Sequence, residues 1–522
     1  MYRTRILPVP DPVSLGQFRS AESASSSSSP SSLPSSITAH LDHWDAASSA
    51  PGLHALATAA DRIRHTDVPV GFPTETVYGL GADATRSGAV RGIYSVKGRP
   101  SDNPLIVHIC DLDMLRGLLG GPVADLPTIY RPLVARFWPG PLTILLPVPR
   151  PTQEPATALD AAATLPSSQS HPPTWTLAPE VTAGLSTFGA RLPASPLTCT
   201  LIRLAGVPLA GPSANASTRP SPTTAQHVVD DLSGRIEVVL DGGACGVGVE
   251  STVVDGLCDP PVVLRPGGIS LAELRTVPGW ERVERAYRDG SKTTDAGGQA
   301  AKEGSQEQNG TNDDAEEERP RAPGMKYKHY SPKARVVLYE KRAERAPSSA
   351  PVDLVQAIRA LRETHVVRAY VPGNTMQEQK QKVVGIIRTG SWPSLRTSLH
   401  ANDVNGHGHE SKNGSTTPQR HGFVQAEASR VDDAPSMTYD LSEYTMAVNH
   451  AVVDQRVVVL VLDLDLGRSP PSIAHGLFSA LRDLDARGAD VILVEGIDDG
   501  RDDIAAAVMN RLRKAASEVR YT

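Results

Sequence analysis

Cysteine is scarce: the 522-residue chain has four, Cys110, Cys199, Cys245 and Cys258. None belongs to a CxxC pair, which excludes a disulfide framework and a cysteine zinc site and fits a reducing compartment. Aromatic residues make up only 4%, and 52 Lys plus Arg against 58 Asp plus Glu leave a formal charge of −6. A generally basic nucleic-acid coat is thereby excluded, because phosphate backbones are gripped by clustered cations. No Gly-Lys pair occurs in the chain, so no GxxxxGK[ST] phosphate loop exists and any nucleoside triphosphate must bind outside that architecture. No apolar run approaches the roughly 18 residues of a membrane helix, and no membrane partner is expected. Glycine (43) and proline (44), by contrast, are plentiful. They point to loops and linkers, and to two ordered domains rather than the larger number the length would allow.

Residues 1–47 are rich in serine, carry Arg3, Arg5 and Arg19, and have prolines at 8, 10 and 12. They read as a disordered tail, with organelle transit as the alternative. From Leu53 the pattern turns α/β. LHALATAADRIRHT has helical spacing, PLIVHI, PLTILLPV and FGARLP read as strands, and RIEVVLDGG, ESTVVDGL and PVVLRPGG are strand-like stretches ended by glycine. Residues 151–175 are poor in large apolar side chains and read as an inserted loop. The first domain is expected over 48–278 and a linker over 279–332, disordered at 287–321 and ordered as a lid at 322–332. The second domain, 333–522, is expected to open with the strand ARVVLY, the helix VDLVQAIRALRE and the strand VVRAYV, and to carry a polar insertion at 392–435. Near its end VVVLVL (457–462) has the continuous apolarity of a parallel strand. A helix capped by Ser472 and ended by Gly488, then VILVEGI, completes a right-handed βαβ unit.

Lys97 and Arg99, at i and i+2 in KGRP, would point the same way on extended backbone and clamp a phosphate, with Asn103 and His108 following; a solvated basic turn is the plain alternative. Ser213 and Asn215 in GPSANAS repeat the spacing beside Gly211, either as a ligand loop or as an ordinary turn. Arg191, Ser251 and Arg265 lie beside strands, and GGACGVGVES offers either an anion nest or a glycine turn. Gly79, Gly81 and Ala84 match GxGxxA in form but lack the acidic ribose partner of a dinucleotide site. His400, His407, His409 and His421 lack metal-ligand spacing, so no metal held by protein side chains is expected. Glu75 and Asp83 have nothing to fix their separation and receive no acid/base role.

Taken in order, PTETVYGLGA, KGRPSDNPLIVHI, FWPGPLT, FGARLP, GPSANAS, VESTVVD and LRPGG resemble the YrdC-like domain of threonylcarbamoyl-AMP synthases. PGMKYKHYSP, DVILVEGI and VMNRLRKAA resemble the longer, two-domain form of that family. The resemblance implies a YrdC-like twisted mixed sheet with helices, followed by a smaller Rossmann-like parallel α/β domain. It also implies synthesis of threonylcarbamoyl-AMP and pyrophosphate from L-threonine, bicarbonate and ATP. That is the first step of threonylcarbamoyladenosine modification of tRNAs reading codons that begin with A.

The family's KxR and SxN signatures fall on Lys97, Arg99, Ser213 and Asn215, the implied catalytic set. By the same match, ATP would meet Arg99, Asn103, Thr187, Ser213, Ser221, Arg265 and Tyr330, the last from a linker lid. Threonine would meet Thr76, His108, Arg191, Gly211 and Ser251. Mg²⁺ would ride mainly on the ATP phosphates. The product would pass to a threonylcarbamoyl transferase complex acting on tRNA, with weak direct tRNA contact left open. A cytoplasmic location is implied, with a mitochondrial fraction open. Two other functions fit less well: an RNA-binding protein on the same fold conflicts with the negative charge, and a carbamoyl-transfer maturation enzyme would need zinc-finger cysteine pairs and an acylphosphatase-like region, both missing.

Overall fold

A computed structural model describes residues 1–19, 38–121, 125–149, 174–286, 329–340, 358, 382–395, 397–398, 429–430, 439–449, 456–500 and 503–521. The chain divides into two units, Met1–Tyr327 and Lys328–Thr522.

The first unit contains strands β1 (Arg5–Pro8), β2 (Gly16–Phe18), β3 (Trp44–Ala46), β4 (Val70–Phe72), β5 (Gly79–Asp83), β6 (Ile106–His108) and β7 (Leu142–Pro147). It continues with β8 (Thr187–Arg191), β9 (Leu209–Ala210), β10 (Val238–Asp241), β11 (Thr252–Asp255), β12 (Val262–Arg265) and β13 (Glu284–Arg285). Eleven of them form one mixed sheet in the order β1-β10-β4-β5-β9-β6-β8-β7-β11-β12-β13, while β2 and β3 pair separately. The expected mixed sheet is therefore present.

Its helices follow the apolar spacing. Leu56, Ala59, Ala60 and Ile63 form the buried stripe of helix Leu53–His65, which packs on helix Pro196–Ala205. The second of these is capped by Ser195 and stopped by Gly206 in the left-handed region. Ser270 and Glu273 close a capping box on helix Leu271–Arg275.

Three expected boundaries move in this unit. The first 47 residues are not a tail throughout: β1 adds to the sheet parallel to β10, with Arg5 opposite Val238, and Leu15, Leu41 and Trp44 are buried. Short strands broken by prolines hide this in the sequence; the serine-rich stretch 20–37 lies outside the described residues. The domain also runs past Pro278, because Trp280 and Val283 are buried and β13 pairs with β12. Trp175, assigned to the insertion, packs on the core, and its N–H donates to the Gly117 carbonyl. Residues 151–173 of that insertion, the linker core 287–321 and the lid up to Lys328 lie outside the described residues.

The second unit contains β14 (Arg335–Glu340), β15 (Lys382–Arg388), β16 (Ser429–Arg430), β17 (Asp440–Asn449), β18 (Arg456–Asp465), β19 (Val491–Glu495) and β20 (Glu518–Tyr521), in the order β16-β17-β18-β15-β19-β14-β20. β18, β15, β19, β14 and β20 are parallel, and β17 and β16 add an antiparallel edge. The sheet is thus parallel-rich rather than wholly parallel.

Helix Pro470–Ala486 joins β18 to β19, capped by Ser469 rather than Ser472, because Pro470 and Pro471 suit its first turn. β15 and β17 carry no sequence-based expectation. Trp392 and Leu395 are buried, so the polar insertion begins later than 392; its stretch 399–428 lies outside the described residues, as does the expected strand VVRAYV and all but Ile358 of the helix before it. Glu495 accepts N–H bonds from Thr389, Gly390, Ser391 and Trp392, and buried Arg511 donates to the Ala507 carbonyl. Both are accounted for by the fold. A cavity of about 680 Å³ opens beside Arg388 and Arg468, but Arg388 is spent on Asp463 and Asp465.

Candidate active site

Strand register builds one polar row. His108 on β6 pairs with Arg191 on β8, and Ala190 and Gly189 pair with Ile144 and Leu145, which brings Thr143 level with Arg191. Thr143 pairs with Val253 on β11, and Val253 with Arg265 on β12. Side chains alternate along a strand, so His108, Arg191, Thr143, Ser251 and Arg265 share a face. The contacts agree: Thr143 and Ser251 hydroxyls are 2.8 Å apart, and Arg265 Nη2 donates to Ser251 Oγ at 3.1 Å and to its carbonyl at 2.9 Å. Thr187, four residues before Arg191, faces the same side at the outer end of β8.

Arg191 is the hub. Nη1 donates to Thr76 Oγ1 at 2.9 Å, Nη2 meets Glu75 Oε1 at 2.6 Å, and Nε donates to the Gly140 carbonyl at 3.3 Å. Thr74 and Thr76 hydroxyls are 2.8 Å apart. His108 lies beside Gly211, and burial together with the Arg191 charge pushes its pKa down to about 3. The imidazole is therefore neutral at physiological pH.

Lys97 and Arg99 meet the site by a different route from the one their spacing suggested. Lys97 ends helix Ser87–Lys97, and Gly98 turns the chain in the left-handed region. The backbone is not extended, so the two side chains diverge. The buried Lys97 ammonium donates to the Ser213 and Asn215 carbonyls, each at 2.5 Å, while Arg99 donates to the Asn103 and Pro104 carbonyls at 3.3 and 3.0 Å. The GPSANAS loop is fixed further by a bridge between Gly79 and Ser213 and by Asn215 Nδ2, which donates to the Ala216 and Arg219 carbonyls. Ser221 donates to Glu250 Oε1 at 2.5 Å. Tyr330 lies in the second unit, its ring stacked 5.2 Å from Phe478 and 5.9 Å from the Arg511 guanidinium.

Six buried side-chain polar atoms have no partner among the described residues, and four belong to this constellation: Glu75 Oε2, Asn103 Oδ1, His108 Nδ1 and Asn215 Oδ1. Buried polar atoms are almost always paired, and these four are open to donors brought by a ligand or by water. Glu75, Thr143 and Glu250 were not assigned from sequence. Glu75 and Glu250 sit beside the assigned Thr76 and Ser251, Thr143 lies within an apolar strand, and the partner of each lies 29 to 116 positions away. Among the described residues no three His, Cys, Asp or Glu side chains converge on a metal position.

A mixed sheet with this arginine and histidine pocket, beside a lysine-held Ser-Ala-Asn loop and followed by a parallel-rich second unit, defines a two-domain α/β enzyme with a YrdC-like first domain. Residues 63–267 match the Sua5, YciO and YrdC family model, described as "Telomere recombination", and residues 269–517 match "Threonylcarbamoyl-AMP synthase, C-terminal domain". The chain is similar to a threonylcarbamoyl-AMP synthase of Schizosaccharomyces pombe, 39% identical over 89% of each chain. It is also similar to one of Pyrococcus abyssi, 33% identical over 86% of this chain and 90% of that one. The crystal structure of P. abyssi Sua5 complexed with L-threonine, 30% identical, covers 90% of this chain and 96% of its own with a TM-score of 0.56. The chain belongs to the threonylcarbamoyl-AMP synthase family.

Proposed function

We propose that the chain makes threonylcarbamoyl-AMP and pyrophosphate from L-threonine, bicarbonate and magnesium-bound ATP, the first step of threonylcarbamoyladenosine formation in tRNA. Family membership and the cluster of unpartnered acceptor atoms around Arg191 and Lys97 support this reading. Threonine's nitrogen and bicarbonate form an N-carboxylate, which attacks the α-phosphorus and expels pyrophosphate. Negative charge grows on the transferring group and on the leaving group, so permanent cations favour that step. Lys97, Arg99 and Arg265 supply them, and Asn103, Thr187, Ser213, Asn215 and Ser221 orient the nucleotide. Arg191 holds the threonine carboxylate in the pocket of Thr76, His108, Gly211 and Ser251. A hydroxyl-reading pocket discriminates against valine because its polar groups would be left unpaired. The product, a mixed anhydride, passes to a transferase complex acting on tRNA.

The test is pyrophosphate release by the full chain with MgATP and bicarbonate, comparing L-threonine with L-valine and L-serine, and wild type with Lys97→Ala. Release that requires threonine and bicarbonate, with threonylcarbamoyl-AMP identified by mass, is expected, and the variant should lack it. A folded, ATP-binding wild type that releases none would overturn the proposal.

A further inference from the structure

We infer that Glu75 is the base of the carboxylation step: its Oε2 receives the ammonium group of threonine and takes the proton that must leave before the nitrogen can attack bicarbonate. The inference rests on the reaction proposed above and adds a residue to it.

The carboxylate is anchored by one oxygen only. Oε1 meets Arg191 Nη2 at 2.6 Å, while Oε2 is shut off from solvent and has no partner among the described residues. A buried anionic oxygen without a donor is costly, and the cost is removed when the donor arrives with the substrate. The position is held from behind: the Glu75 carbonyl accepts Val247 N–H at 2.8 Å and the Thr76 carbonyl accepts Gly248 N–H at 3.1 Å. Carboxylate and guanidinium therefore stand side by side on a fixed loop. An α-amino acid presents the complementary pair, a carboxylate and an ammonium on one carbon, so Arg191 takes one end and Glu75 the other.

Other groups fit the task poorly. His108 is neutral but a weak base, Lys97 and Arg99 point their hydrogens at carbonyls, and Glu250 accepts from Ser221. The step balances. Glu75 carboxylate and R–NH3⁺ give the carboxylic acid and R–NH2. The nitrogen lone pair forms a bond to the bicarbonate carbon, and the C–OH bond breaks. The hydroxyl leaves as water with a second amine proton, giving R–NH–COO⁻. Glu75 returns its proton to solvent after product departure.

The titratable groups around Glu75 are Arg191 from β8, His108 from β6, Cys199 from helix Pro196–Ala205 and Cys245 from the segment after β10. Burial and the Glu75 charge push both thiols up, and His108 titrates far below neutrality. The imidazole and the two thiols therefore keep their charge between pH 6 and about 9.

The experiment is pyrophosphate release by the full chain between pH 6 and about 9.5, wild type against Glu75→Gln, with ATP binding measured alongside. A glutamine keeps the shape but accepts no proton. The variant is expected to lose about 10² in kcat or more at pH 7, to regain about tenfold per pH unit as solution supplies free amine, and to bind ATP as wild type does. Unchanged activity, or the same loss at every pH, overturns the proposal. Should Glu75→Gln fail to fold, Glu75→Asp replaces it, with a lower kcat and recovery at high pH expected and an unchanged kcat overturning. A wild type without threonine-dependent release overturns the synthase reading itself; an active wild type matched by Glu75→Gln overturns only the role of Glu75.

Discussion

Gly211 and His108 stand so close that a β-carbon on residue 211 would lie 2.8 Å from His108 Nδ1. The same carbon would lie 3.3 Å from Phe72, whose ring meets the imidazole edge-on at 5.9 Å. Gly211→Ala must therefore displace the imidazole or the loop, at the 1–3 kcal/mol typical of an overpacked site, roughly 5- to 150-fold in binding. Calorimetric titration of threonine should show that loss, with ATP affinity nearly unchanged.

Lys97→Met removes an ammonium that satisfies two carbonyls. We expect kcat/KM to fall by about 10² or more and stability to fall by about 1–3 kcal/mol as the carbonyls lose their donor. Pyrophosphate release and urea unfolding measure the two effects separately. An unchanged rate in a destabilised protein would make Lys97 a loop clamp only.

Acid should weaken the first unit through His108. Burial and the Arg191 charge lower its pKa to about 3 in the folded state, from the ordinary imidazole value of 6.5. Below pH 6.5 the unfolded chain binds a proton that the folded chain refuses, so stability falls as pH drops from about 6.5 towards 3 and is unaffected by this group above that window. The loss at the acid end is on the order of a few kcal/mol. Urea midpoints for wild type and His108→Gln across pH 4–7 should differ in slope, the variant being flatter.

Glu495→Ala deprives four backbone N–H groups of one carboxylate. The second unit should lose about 2–4 kcal/mol, since charge-assisted bonds are stronger than neutral ones. Differential scanning calorimetry should show one lowered transition, with threonine titration unchanged.

The legible part of the fold was what local pattern controls. Apolar stretches ended by glycine, such as RIEVVLDGG, became β10 to β12, and Leu56, Ala60 and Ile63 marked a helix face. β1 escaped because four residues beside prolines carry little periodicity, and their pairing with β10 is 233 positions away. In the site, motif order located the residues but not their geometry. Lys97 and Arg99 read as an extended pair, yet a helix end and a left-handed Gly98 separate them. Glu75 was visible and unassigned because its meaning depends on Arg191, 116 residues further on.

Cys110, Cys199 and Cys245 are buried, while Cys258 is exposed. Thiolate reactivity requires access and ionisation, and burial pushes all three enclosed thiols up, away from ionisation. Folded protein therefore presents one alkylatable sulfur of four. Cys245 lies two residues before Val247, whose N–H holds the Glu75 carbonyl. Alkylation of Cys245, told apart by mass from that of Cys110 and Cys199, consequently times the opening of the loop that carries Glu75, without any probe being engineered into the chain.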